Sequence, residues 1–386
     1  MLLKFENNPC LLLLFMVSLL YGRVVTFGYV NDDYTLVNIS SFSQAWNMAF
    51  EPSALHVRPV WFLSYYFSNL FFQRPWFDHA INVALFGLCV VLAYEYAKRN
   101  MGQRKALAAA LIWILVPWNA FPATWIAQRN DLLANAFALT ALLLLDKSPF
   151  VSLPCAAGAV FSKVTVMFLP AFLGWVSFRR KARVLAAFFF GLFVVYFALA
   201  GLAYHNNIDQ LYKVHGSAFS GFLIPFNYAF HFIEVVFCQV VPLPFFVGWW
   251  HGLMWFSGLV LLITSCRWQF NRIESVKYLL LGVLMMLPAM VSSELRVVGF
   301  STLFFILFVI QSISTIKYYP RFAFAVVLLE ISALLMIFLT QEHFHSLAMN
   351  PNEPIPWGQD FYQNSYYKVK REWIIVVISW LRHLVK

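Results

Sequence analysis

Between Arg183 and His205 this chain runs Val-Leu-Ala-Ala-Phe-Phe-Phe-Gly-Leu-Phe-Val-Val-Tyr-Phe-Ala-Leu-Ala-Gly-Leu-Ala-Tyr without one charge, and comparable runs recur along its 386 residues. A run of roughly 20 apolar residues is the length of a bilayer core crossed as a helix. In hydrocarbon only helices and closed barrels satisfy every backbone N–H and C=O, so runs of this kind predict helices. The composition agrees: 61% of residues are hydrophobic and 11% charged, where soluble domains carry about 25% charged residues. That surplus of apolar surface excludes a soluble enzyme, a secreted disulfide scaffold, a disordered tail and a DNA-binding domain. The +10 formal charge therefore bears on topology before it bears on partners.

The predicted fold class is all-α, a polytopic membrane protein of about eleven transmembrane helices. The expected spans are 9–28, 79–97, 106–124, 131–146, 149–162, 164–178, 184–204, 246–265, 278–293, 297–315 and 322–341. The short pair 149–162 and 164–178 meets at Ser162-Lys163. Basic residues favour cytoplasmic loops, which places Lys98-Arg99, Arg104-Lys105, Arg179-Arg180-Lys181, Arg183, Arg267, Arg272, Lys277, Lys317 and Arg321 inside. The segments 30–78, 120–130, 162–164, 205–245, 293–297 and 342–372 then lie outside. A full crossing by the apolar segment 223–241 would break this alternation, so it is expected to be re-entrant or interfacial. Trp373–Leu381 is too short to cross and is expected along the surface.

Lys4 ahead of Leu11–Leu20 has the look of a signal peptide. Tyr21-Gly22-Arg23 is not a small-residue cleavage site, so an uncleaved first helix is expected. The five cysteines (Cys10, Cys89, Cys155, Cys238, Cys266) show neither CxxC nor Cys/His ligand spacing and are expected as packing residues. No internal repeat or linker divides the chain.

Polar residues kept at membrane depth are costly and tend to be functional. Asp32 and Asp33 follow the first span directly, and adjacent carboxylates repel unless a cation, a hydroxyl proton or a phosphate-bound arginine meets them; the structural alternative is a helix cap beside a solvated charge. The same loop continues through the amphipathic stretch Leu36–Phe50, then Arg58-Pro59 and the apolar-aromatic helix Val60–Phe72. Both helices are expected to be interfacial, with Trp46, Trp61 and Trp76 at headgroup level. Arg129 and Asp131 stand at the mouth of the fourth span, where they could equally form a surface ion pair. Lys163 is a lone cation between apolar segments, which could equally snorkel. Glu294 and Arg296 share a turn between charge-free spans. Arg58, Arg129, Lys163 and Arg296 suit phosphate oxygens, arginine as a planar fork and lysine as a point charge. A phosphate at the membrane edge beside a carboxylate describes a lipid-phosphate substrate and a general base.

In order along the chain, Asp32-Asp33, Arg58-Pro59, Asp78-His79-Ala80-Ile81-Asn82, Trp125-Ile126-Ala127-Gln128-Arg129-Asn130-Asp131-Leu132-Leu133 and Ser162-Lys163 with Pro170 resemble the GT-C glycosyltransferases. The nearest flavour is the protein O-mannosyltransferase and tetratricopeptide-linked mannosyltransferase branch with its bacterial relatives. The likeness covers roughly residues 9–204 and thins beyond, and Val164 stands where the family's Ser-Lys-Glu-Thr pattern has its glutamate. No tetratricopeptide array follows, which weakens the case for protein acceptors. The resemblance implies a transmembrane catalytic module over 1–204, further transmembrane helices over 205–341, and an outer loop with a short surface helix over 342–386. It implies an inverting enzyme that moves a sugar from a polyprenyl-phosphate donor to an acceptor hydroxyl of a glycan or lipid. One base suffices because the leaving group is a phosphate, unlike hydrolases with two carboxyl roles. By resemblance the base is the first acid, Asp32, with Asp33 as orienting partner or metal ligand. Arg58, Lys163 and Arg296 would hold the donor phosphate, and His79, Asn82, Arg129, Asp131 and Glu294 would shape the acceptor side. No cofactor is required, with a divalent cation as an optional companion, and nucleic acid is not an expected partner.

A secondary transporter and an O-antigen-type polymerase or ligase are the alternatives. Glu234 and Glu330, each interrupting an apolar segment, favour the transporter, but inverted repeats are missing. A polymerase would be expected to concentrate arginines in one late outer loop, and 342–372 has few charges. Asn38-Ile39-Ser40 matches a glycosylation acceptor and leaves the endoplasmic reticulum open. The compact chain favours the bacterial plasma membrane with the site on the periplasmic side.

Overall fold

The computed structural model describes residues 8–30, 33–50, 57–116, 119–206, 257–258, 260–269, 273–287 and 299–349. These form a mostly helical chain: α1 (Pro9–Tyr21), α2 (Phe42–Phe50), α3 (Pro59–Phe71), α4 (Pro75–Met101), α5 (Gln103–Leu115), α6 (Arg129–Leu144), α7 (Pro149–Val160), α8 (Leu169–Arg179), α9 (Arg183–Asn206), α10 (Ile273–Met286), α11 (Gly299–Ser312) and α12 (Tyr319–Met349). Proline opens α1, α3, α4 and α7, where its missing N–H costs nothing and its φ is already helical. Helix α4 stops at Gly102, whose φ of 78° lies in the left-handed region that glycine enters without penalty. Lys98 and Arg99 in its last turn complement the negative end of the helix dipole.

Small residues let the central helices approach closely. Ala93 and Ala97 of α4, Ala106, Ala109 and Ala110 of α5, Ala134, Ala138 and Ala141 of α6, and Ala156 and Ala159 of α7 are all buried in one core. At Gly87 of α4 an added Cβ would stand 2.9 Å from Leu14 Cδ2 of α1, so that crossing depends on the missing side chain. The Tyr21 hydroxyl ties the end of α1 to Ile114 O of α5 at 3.0 Å, and its ring meets Phe86 edge-on at 5.1 Å.

Among the described residues three helical stretches are long and apolar enough to cross a membrane: Pro9–Thr26, Pro75–Met101 and Arg183–Ala203. The outside of the bundle is apolar, as along α9, where Val184, Phe188, Val194, Val195, Phe197 and Leu202 are exposed. Among the described residues the buried charges gather in one place. The five buried charged side chains, Asp33, Asp78, Arg129, Asp131 and Lys163, all belong to one end of the bundle. At the opposite end the basic loops meet: Arg99 donates to Leu143 O, Lys105 to Ile313 O, and Arg180 pairs with Asp146. Helix α4, about 40 Å long at 1.5 Å per residue, separates the two ends.

Several sequence expectations are corrected. The span 106–124 is broken: α5 ends at Leu115, Val116 is extended, and a separate short helix covers Ala120–Thr124. Val116 precedes Pro117, and a residue before proline is pushed out of the helical region. Within the stretch 36–50 only α2 (Phe42–Phe50) is helical beyond Leu36, which ends the separate short helix Asp33–Leu36. The expectation of helices alone missed one ribbon. Cys266–Trp268 (β1) pairs antiparallel with Ile313–Ile316 (β2), where β-branched Ile313, Thr315 and Ile316 suit a strand. The outer loop expected from 342 starts too early, because α12 continues through Met349. The segments 223–241 and 373–381 lie outside the described residues.

Candidate functional site

Asp33 opens a short helix immediately after the first-span loop and is fully buried. Its Oδ2 accepts the Val30 N–H at 2.9 Å and its Oδ1 accepts the Ala127 N–H at 2.8 Å, while its own N–H donates to Val30 O at 3.0 Å. One carboxylate thus closes the turn 30–33 and fastens it to the segment 125–128. That segment is itself held from α4. Asn82 Nδ2 donates to Pro122 O, Trp125 O and Ile126 O at 3.2–3.3 Å, and Tyr65 of α3 donates to Ile126 O at 2.5 Å.

Behind this segment lies Arg129, only 1% exposed. Its five N–H groups all have acceptors. Nε donates to Asn82 Oδ1 at 3.0 Å, Nη1 to Ser64 O at 3.4 Å and Ser68 Oγ at 3.0 Å, and Nη2 to Asp78 O at 3.4 Å and Oδ1 at 2.6 Å. The guanidinium carbon sits 4.4 Å from the centre of the Tyr65 ring, a cation–π stack. Asp78 also accepts from Ser68 at 3.1 Å and from the Tyr29 hydroxyl at 3.3 Å. Burial, then Asp78 and Asp33, push the Tyr29 phenol well above its ordinary range, so it stays a donor.

Lys163 is also buried. Its Nζ pairs with Asp131 Oδ2 and reaches Gln128 Oε1 at 3.4 Å. The hinge Ser162-Lys163 between α7 and the turn Val164–Val166 is where the sequence predicts it. Arg58 comes to the same place by the backbone: Val60 N–H donates to Phe161 O at 3.3 Å, and Arg58 packs over the Trp61 ring at 5.4 Å. A continuous path therefore runs from Asp33 through Ala127 and Gln128 to Lys163, and through Phe161 and Val60 to Arg58.

The structure brings together Asp33, Arg58, His79, Asn82, Arg129, Asp131 and Lys163. His79 donates through Nε2 to Gly28 O at 3.3 Å, bracing the same loop. Asp32, Glu294 and Arg296 lie outside the described residues. Arg129 does not pair with Asp131 at the surface; both are buried, with Asp78 and Lys163 as their respective partners. Nor is Lys163 a lone snorkelling cation. Sequence reasoning did not single out Asp78, Ser68, Tyr65, Tyr29 and Gln128 as site residues. For Asp78 a signal existed: an acid in the first turn of a membrane-length helix needs a cation. Among the described residues no three His, Cys, Asp or Glu side chains gather as a metal site would require. Comparisons with protein-family models, curated proteins and solved structures return no match for this chain.

Proposed function

We propose that this protein is an integral membrane glycosyltransferase of about eleven spans. It transfers a sugar with inversion from a polyprenyl-phosphate donor to the hydroxyl of a glycan or lipid acceptor. The observation that carries this reading is the gathering of every buried charge among the described residues at one end of an apolar bundle. Charges at depth in such a bundle are functional by default. A transporter would hold them near the bilayer midplane, whereas these charges belong to helix ends, which favours the transferase reading. The basic loops at the far end support a cytoplasmic far end, and in this reading the site faces outward, as in a bacterial plasma membrane.

In this reading Lys163 and Arg58 neutralise the donor phosphate, with Arg296 as a third cation. Asp32, which precedes Asp33 in the sequence, accepts the acceptor's hydroxyl proton. The acceptor oxygen bonds to the anomeric carbon as the carbon–oxygen bond to phosphate breaks. Polyprenyl phosphate leaves with that electron pair and needs no general acid. Asp33 orients the loop through its two backbone hydrogen bonds, and the chemistry is complete without a metal.

The test is transfer of a labelled sugar from a panel of polyprenyl-phosphate donors by purified protein in lipid. Asp32→Asn should lower turnover by at least about 10²-fold with donor binding intact. Near-wild-type turnover in that variant removes Asp32 as the base. Absence of transfer from every donor by the wild-type protein overturns the enzyme class.

A further inference from the structure

We infer that Asn82 is a positioning residue: through the segment 122–127 it sets the place of Asp33, and it does not contact substrate. This rests on the reading of the acid pair as the chemical centre, and it reassigns Asn82 from the acceptor side, where resemblance puts it. Asn82 is fully buried. Its carboxamide is engaged at both ends, Nδ2 near three consecutive-turn carbonyls and Oδ1 receiving the Arg129 Nε. An amide so engaged has no group left to offer a sugar.

The three carbonyls belong to Pro122, Trp125 and Ile126, and the next residue, Ala127, supplies the N–H that holds Asp33 Oδ1. Helix α4 packs on both α1 and α6, so Asn82 is held on a packed helix. The segment hung on it is built of short helical turns, Ala120–Thr124 and Ile126–Gln128, so side-chain hydrogen bonds add to its packing in fixing where it lies. Tyr65 acts on the same segment from α3 through Ile126 O. Arg129 in turn orients the Asn82 amide, because only Oδ1 can accept from Nε. The order of control is therefore Arg129, Asn82, segment 122–127 and Asp33.

Two variants and two readouts test this. Asn82→Ala removes the carboxamide; Tyr65→Phe removes one hydrogen bond from the same segment without changing the packed ring, and stays informative if Asn82→Ala fails to insert. Hydrogen exchange in nanodiscs is read at Val30 and Ala127, the two amides that Asp33 holds. Exchange there should quicken in both variants, more in Asn82→Ala, while α4 amides beyond Phe86 stay protected. Turnover in Asn82→Ala should fall by up to about 10²-fold, since a displacement of about 1 Å has that effect, with the donor KM near wild type. A purely structural role would instead lower activity only in proportion to the folded fraction. Wild-type exchange at Val30 and Ala127 in both variants overturns the inference whatever the activity. If Asp32→Asn abolishes transfer but both variants keep wild-type turnover, the positioning role falls and the glycosyltransferase reading stands. If Asp32→Asn has no effect while exchange quickens, the acid pair loses its catalytic role and Asn82 keeps its hold on the loop.

Discussion

Arg129 of α6 donates to Asp78 of α4 at 2.6 Å and passes over Asp131, two positions along its own helix. The choice follows from geometry. Asp78 lies in the first turn of α4 and Arg129 in the first turn of α6, so two helices that pack side by side bring the charges face to face. Asp131 is left to Lys163. Two buried pairs replace one exposed pair, and each ties together elements far apart in sequence.

Removing one member of a buried pair leaves the other charge uncompensated. Arg129→Ala and Asp78→Ala should each destabilise the protein by about 3–5 kcal/mol. Arg129→Lys should also be destabilising, because a point charge cannot serve Asn82, Ser68 and Asp78 together. Thermal unfolding in detergent, followed by loss of the monodisperse peak, measures this. Wild-type stability in Arg129→Lys would show that the fork geometry is dispensable.

For Lys163, stability and donor use can be separated. Lys163→Met alone strands Asp131 in the interior and should lower both. The double variant Lys163→Met/Asp131→Asn removes the stranded charge, so stability should recover while the donor KM remains raised. Recovery of the KM together with stability would assign Lys163 a purely structural role.

Arg58 is half-buried at the start of α3 and stacked on Trp61. Arg58→Lys should raise the donor KM, because lysine loses both the bidentate grip and the planar stack. Folding should be unaffected. An unchanged KM for every donor tested would take Arg58 out of the phosphate grip.

Asp33→Asn retains one carboxamide oxygen and turns an N–H donor toward one of the two amides that Asp33 now accepts. Turnover should fall less than in Asp32→Asn, and exchange at either Val30 or Ala127 should quicken. A loss larger than that of Asp32→Asn would move the base to Asp33.

The two ends of the bundle should be on opposite sides of the membrane. Tyr34 near the site and Lys181 in the basic loop are exposed. Cysteines placed there should differ in labelling by an impermeant maleimide in intact cells, Tyr34→Cys reacting and Lys181→Cys protected. Labelling of both from outside would end the single-crossing order of the intervening helices.

Apolar run length and basic loops are local properties, and a chain with this pattern has few other ways to satisfy its backbone in an apolar medium. For that reason the helices at 9–28, 79–97, 149–162, 164–178 and 184–204, the hinge at Ser162-Lys163 and the grouping of the basic loops were legible in the sequence. Of the buried charges, Asp33, Arg129, Asp131 and Lys163 were singled out in the sequence, and Asp78 was not. Pairing was not legible. Which acid meets Arg129, and that Asp33 spends both oxygens on backbone amides, depends on how α3, α4 and α6 pack against one another. The β1–β2 ribbon joins segments more than forty residues apart, and the extension of α12 to Met349 is accompanied by contacts with the end of the first helical stretch, Gln341 to Leu20 O and Glu342 with Arg23. Hydrophobic periodicity carries no information on such contacts, because a buried charge finds its partner through the packing of whole helices. The sequence by itself determined an apolar helical bundle with charges held at its loops; only the tertiary structure decided which partner each buried charge takes, because that depends on how whole helices pack.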